Sequence, residues 1–129
     1  MSETWVLDAS AVLAVLGGEP GADIVKAAIF DGATISSVNL CEVVGKLTEA
    51  GLSSDEVREV LDSLGLDVRD FDMRQALEAG ILLGRTRALG LSLGDRACLS
   101  LALALGATDV TADHAWEKTG LPIKVRVVR

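Results

Sequence analysis

A short β-prone apolar run, Trp5-Val6-Leu7, stops at Asp8, and a second apolar run of good helix formers, Ala11 to Leu16, begins directly behind Ser10. The first run is too short for a buried helix and suits a buried strand, while Ser10 is a favoured N-cap residue. The stretch therefore reads as strand, tight turn and helix, with Ser10 as the cap. Asp8 stands where the buried strand ends and the helix begins. In open parallel sheets ligands bind at that edge, outside the carboxyl ends of the strands. Capping the helix is the competing role for the same carboxylate.

The alternation continues along the chain. Gly17-Gly18-Glu19-Pro20-Gly21 is a turn, and Pro20 is placed to open a second helix running to about Phe30. Ala33 to Ser36 reads as a strand, and Ser37 to Leu47 as a helix with Leu40, Val43, Val44 and Leu47 on one face. Ser53 and Glu56 spell a capping box for a helix to Leu64. Leu66 to Phe71 alternates like a half-buried strand, and Asp72 with Gln75 opens a helix to about Thr86. Gly90 to Gly94 reads as a loop that delivers Asp95 to a helix, Arg96 to Leu105, apolar nearly all round and so buried. Thr108 to Thr111 is a further strand, Ala112 to Trp116 a turn and short helix, and Ile123 to Val128 a closing strand. Strands alternating with helices predict an α/β sandwich with a mainly parallel sheet, a single domain over residues 1–129.

Composition narrows the function. Only 3% of residues are aromatic, too few for a base-stacking platform. Nineteen acids against twelve basic residues give a net charge of −7, which excludes coating nucleic acid by charge alone. It leaves open a nuclease whose acids gather at a metal site. Cys41 and Cys98 sit in apolar, helix-like stretches without a metal-ligand spacing partner, and read as small core residues. Met1-Ser2-Glu3-Thr4 lacks the basic region of a signal peptide. The longest apolar stretch, around Ala97 to Ala107, is shorter than a membrane span. A soluble cytoplasmic protein with no membrane partner is expected.

Asp8, Glu42, Asp95 and Asp113 share one property: each stands at a strand-to-helix or loop-to-helix junction beside apolar sequence. In a parallel sheet the junctions that follow strands share one edge, and the helix start at Asp95 can join them. Crowded carboxylates repel and titrate upward. Few basic residues adjoin them, Arg96 beside Asp95 and Lys46 one turn beyond Glu42. A hard divalent cation, which takes oxygen ligands, would supply the missing positive charge; for Mg²⁺ a few carboxylates, waters and a substrate phosphate make a natural shell. Taken singly, each acid also suits a first helical turn, where the macrodipole favours it. Ser10 and Thr111 can hold a carboxylate or a metal-bound water, or simply cap. His114, the only histidine, has no partner for catalysis.

Four blocks together resemble a PIN domain, and within it the VapC-like toxins of bacterial toxin–antitoxin pairs. They are Val6-Leu7-Asp8-Ala9-Ser10-Ala11, Asn39-Leu40-Cys41-Glu42-Val43, Gly90-Leu91-Ser92-Leu93-Gly94-Asp95-Arg96-Ala97, and Thr111-Ala112-Asp113-His114-Ala115-Trp116. The resemblance spans almost the whole chain in the right order. It implies a three-layer α/β/α sandwich that binds Mg²⁺ or Mn²⁺ and cleaves RNA as an endoribonuclease. Carried over residue by residue, Asp8 and Asp95 become the main metal ligands. Glu42 and Asp113 complete the acidic site directly or through water, and Ser10 and Thr111 support it. It also implies a homodimer and a small antitoxin partner whose C-terminal segment lies in the active-site groove.

An acidic chain that holds RNA needs local positive charge, and Arg85, Arg87, Arg96 and Lys46 are the candidates, with Arg87 and Arg96 expected to contact phosphates as a pair. Two other readings compete. An aspartate-based phosphotransfer domain also ends its first strand in Asp, but the phosphatases of that kind want a second acid where this chain has Ser10. A non-catalytic interaction module would leave the acids as caps.

Overall fold

The computed structural model describes residues 3–129. Met1 and Ser2, part of the stretch read above for a leader signal, lie outside them. Five strands form the sheet: β1 (Trp5–Leu7), β2 (Ala33–Ser36), β3 (Asp67–Arg69), β4 (Thr108–Thr111) and β5 (Lys124–Val127). Their order is β3-β2-β1-β4-β5 and every pairing is parallel. All five carboxyl ends therefore reach one edge, with β1 at the centre and the strand order reversing around it.

Helices α1 (Ala9–Leu16), α2 (Ala22–Phe30), α3 (Ser37–Glu49), α4 (Ser54–Leu64), α5 (Met73–Ile81), α6 (Leu83–Thr86) and α7 (Leu93–Leu105) connect the strands. Successive strand residues point to opposite faces. Leu7, Ile35 and Val110 pack against Ala11, Val12, Val25, Val43 and Val57 on one face, while Val6 packs with Cys98, Leu99, Leu101 and Trp116 on the other. The result is the three-layer α/β/α sandwich. A sheet covered on both faces buries both sides of its inner strands, so Val6, Leu7, Ile35 and Val110 are all fully buried, and so are the polar Thr111 and Asp109 of β4. Truncating a fully buried leucine such as Leu7 or Leu99 to alanine should cost about 2–5 kcal/mol. No helix among the described residues is long and apolar enough to cross a membrane.

The structure corrects several local expectations. Asp8, not Ser10, caps α1: its backbone is extended and its Oδ1 accepts from Ala11 N at 2.8 Å. Asp8 reaches the orphan N–H three residues on, and Ser10 is already helical. The second helix starts at Ala22 rather than Pro20, because Gly21 has φ +93° and a Cβ there would come within 2.9 Å of Val128. β3 is a three-residue edge strand exposed throughout, since nothing pairs beyond it. The long helix expected to Thr86 divides at Leu82 into α5 and α6. α7 begins at Leu93, not after Asp95, because Ser92 caps it and Asp95 closes the capping box from inside the first turn. Cys98 is buried as expected, but Cys41 is exposed on the outer side of α3.

Candidate functional site

The site is assembled at the carboxyl edge of β1 and β4. Leu7 pairs with Val110 across the two strands, so the next residue of one, Asp8, meets the end of the other, Thr111. Thr111 Oγ1 donates to Asp8 Oδ2 at 2.6 Å. Ser10 Oγ lies 2.7 Å from Asp8 Oδ1 and 2.9 Å from Oδ2, and accepts from Ala112 N at 3.0 Å. Both hydroxyls expected to support the site thus grip the same carboxylate.

Asp8 is only 4% exposed. Burial, the largest influence, pushes its pKa up to about 6. Hydrogen bonds from Thr111, Ala11 and Ser10 pull it down, and the negative charge of Asp95 pushes it further up. Asp95 is therefore close enough to be felt electrostatically, although its Oδ2 accepts from Ser92 N at 2.8 Å within the capping box.

Glu42, exposed in the second turn of α3, lies against the first turn of α7. Its Oε1 accepts from Asn39 Nδ2 at 2.9 Å, and a Cβ placed on Gly94 would sit 2.6 Å from its Cδ and Oε2. That brings Glu42 next to the residue preceding Asp95. Asp113 is exposed and caps a short 3-10 turn, His114–Lys118, accepting from Ala115 N at 2.9 Å. Its own N–H donates to Thr111 Oγ1 at 3.1 Å, the hydroxyl that serves Asp8. The four acids accordingly belong to one edge, linked through Thr111 on one side and Gly94 on the other.

As they stand, no three His, Cys, Asp or Glu side chains among the described residues converge tightly enough to hold a metal ion. Asp8, Asp95 and Asp113 each spend an oxygen on a backbone N–H. The donors still suit a hard cation of the Mg²⁺ kind, which needs only one or two carboxylates and keeps several waters. Buried Asp8, with half-buried Asp95 at the start of α7 near it, fits that demand. His114 lies outside this donor set, with Nδ1 toward Glu117 and Nε2 toward the carbonyl of Arg129.

The basic candidates separate by environment. Arg96 is half-buried and donates to the carbonyl of Ala79 at 2.9 Å, tying α7 to α5. Arg85 donates to the carbonyl of Gly120 at 3.2 Å, and Lys46 pairs with Glu49 at 3.6 Å. Arg87 is exposed and has no side-chain partner among the described residues. Two features escaped the sequence reading. Asn39, signalled only by its i, i+3 spacing from Glu42, is buried beneath that acid. Asp109, in a fully buried strand, lies 3.1 Å from the Cys98 thiol.

A family model described as PIN domain matches residues 5–121. Among solved structures, one of VapBC2 from Rickettsia felis bound to a DNA fragment from their promoter is similar at TM-score 0.77 and 18% identity, covering 98% of this chain and 99% of that one. DNA-bound VapBC from Salmonella typhimurium gives 0.75 and 18%, covering 99% and 100%. VapBC-5 from Mycobacterium tuberculosis, a member of the VapBC family of toxin–antitoxin systems, gives 0.61 and 18%, covering 99% of each. Comparison with curated proteins gave no match.

Proposed function

The chain belongs to the PIN domain family, and from that footing we propose that it is a Mg²⁺- or Mn²⁺-dependent endoribonuclease, the toxin of a toxin–antitoxin pair. Asp8 carries this reading. A carboxylate buried at a strand end, met by hydrogen bonds from Thr111, Ala11 and Ser10 but by no basic side chain, has charge that folding compensates only in part, and burial pushes its pKa up to about 6. A cation on Asp8 and Asp95 supplies that compensation, and when bound it provides an activated water and charge stabilisation for attack on a phosphodiester.

The rest falls to the chain's own residues. Thr111 and Ser10 orient Asp8 through its two oxygens. Glu42 and Asp113, both exposed, flank the edge where they reach an incoming water. No histidine base is needed. Hydrolysis by water leaves a 5′-phosphate and a 3′-hydroxyl.

All three solved structures named above are VapBC structures, and the Mycobacterium tuberculosis one is described as a member of the VapBC family of toxin–antitoxin systems, which supports a small antitoxin as partner. For a homodimer the support is an unpartnered stripe on α5: Met73, Leu77 and Ile81 recur every fourth residue and are 78%, 60% and 77% exposed. Antiparallel packing about Leu77 would set Met73 of one copy on Ile81 of the other, as a two-fold interface requires.

The deciding experiment is incubation with total RNA, with and without Mg²⁺, wild type beside Asp8→Asn, with cut sites mapped. Cleavage should require both the metal and Asp8. EDTA-resistant cleavage by the variant would overturn the mechanism. One observation favours the rival interaction module: Asp8, Asp95 and Asp113 each act as helix-start acceptors. Metal titration separates the two, because an acid kept only as a cap has no reason to bind Mg²⁺.

A further inference from the structure

Asn39 is 1% exposed, in the first turn of α3, and both hydrogens of its amide are committed. Nδ2 donates to Glu42 Oε1 and to the carbonyl of Gly94, each at 2.9 Å. Reversing the amide would set an oxygen against two acceptors, so the orientation is determined by its neighbours. Asn39 Oδ1 is left buried with no partner. An apolar side chain of similar volume would fill the same space without stranding an acceptor, so core packing does not account for this residue.

Gly94 completes the arrangement from the other side. It is buried in the first turn of α7, and a Cβ there would run into the carboxylate of Glu42, 2.6 Å from Cδ and Oε2. A helix interior normally disfavours glycine relative to alanine. Here the missing methyl is the space that Glu42 occupies.

We infer that Asn39 and Gly94 form a clamp that holds the Glu42 carboxylate against the start of α7, beside Asp95, so that Asn39 is a positioning residue for the metal site. The inference rests on the metal-site reading proposed above. One amide joins the two helices that carry Glu42 and Asp95: it grips Glu42 directly and the peptide oxygen immediately before Asp95. An exposed glutamate on its own would sample several rotamers. Tethered at Oε1 it keeps Oε2 free to meet a cation or its water in one place. Partners of this kind, which orient a ligand without touching the metal, change affinity by about 10–100-fold when removed.

The test measures Mn²⁺ affinity of the full chain, by the loss of the free-ion paramagnetic resonance signal, together with the melting temperature of the metal-free protein. The variants are Asn39→Leu, Gly94→Ala and Glu42→Ala, with each of the first two also combined with the third. Asn39→Leu and Gly94→Ala should each weaken Mn²⁺ binding by about tenfold or more. Gly94→Ala should do so without lowering the melting temperature, because the clashing atoms are the far end of a flexible side chain. In the Glu42→Ala background neither change should weaken binding further. Wild-type affinity in both single variants overturns the clamp and leaves the nuclease reading standing. So does an effect that persists undiminished without Glu42, because Asn39 then acts on the fold. Absence of Mn²⁺ binding by the wild type overturns the metal-site reading, and the clamp with it.

Discussion

Thr111 donates to Asp8 across 103 residues of sequence, 2.6 Å from the end of β4 to the end of β1. The bond exists because parallel pairing of the two strands brings their carboxyl ends level. It is also among the influences that keep the Asp8 pKa from rising further. Thr111→Val keeps the side-chain volume and removes the donor. The Asp8 pKa should rise above its present value of about 6. The loss of a hydrogen bond to a charged group should cost about 1.5–3 kcal/mol at pH 8, and less at pH 5 where Asp8 is largely protonated. Urea unfolding at the two pH values measures the difference. An equal loss at both would mean the bond does not involve the ionised carboxylate.

The same carboxylate predicts how stability depends on pH. Its folded pKa of about 6 exceeds the ordinary aspartate value of 3.8, so the folded chain holds a proton that the unfolded chain releases. The metal-free protein should therefore be most stable below about pH 4 with respect to this group, and lose stability as pH rises through about 6. Asp8→Asn should gain up to about 3 kcal/mol at pH 8 and nothing at pH 4. Mg²⁺ should restore the wild type at pH 8 and leave the variant unmoved. Denaturant titrations across the range decide it.

Asp109 adds a second contribution of the same sign, away from the metal edge. It faces α7, where the Cys98 thiol lies 3.1 Å from its Oδ1 while Oδ2 has no partner. Burial holds the Asp109 pKa well above the usual carboxylate range and the Cys98 thiol well above its own. Asp109→Leu should stabilise the protein at neutral pH and remove part of the decline that remains in Asp8→Asn. In the native state Cys41 should alkylate readily and Cys98 only on unfolding, as peptide mass spectrometry would show. Rapid native alkylation of Cys98 would contradict this packing.

Arg87 and Arg96 should now behave differently. Arg96 is committed to the Ala79 carbonyl, so Arg96→Ala should lower the melting temperature through lost packing between α5 and α7. Arg87 is exposed and free to meet a phosphate. In the Asp8→Asn background, Arg87→Ala should flatten the dependence of log RNA affinity on log salt by about 0.7, without changing which RNAs bind. An unchanged slope would place the RNA elsewhere.

What the sequence determined by itself is whatever a few neighbouring residues decide. Val6 and Leu7 ending at Asp8, the capping box of Ser53 with Glu56, and the apolar run of α7 act within one turn or one strand. Hydrogen bonds to orphan helix N–H groups and side-chain periodicity operate at that range, so the alternating elements, and hence the sandwich, were legible. Even there local pattern does not choose the cap of α1, because Asp8 and Ser10 are both good acceptors and only the backbone angles, extended at Asp8, decide between them. The tertiary structure decided what depends on which elements touch. Cys41 looks like a core residue in its apolar stretch, yet it falls on the side of α3 that nothing covers. Asp109 is one residue of a short strand by its sequence, and only the packing shows it fully buried opposite Cys98. Asn39 reaches Gly94 across 55 residues, a contact made only where α3 packs on α7. Hydrogen bonds of that kind are set by where the chain folds back, which no local pattern encodes, and in this protein they are the ones that aim the acids.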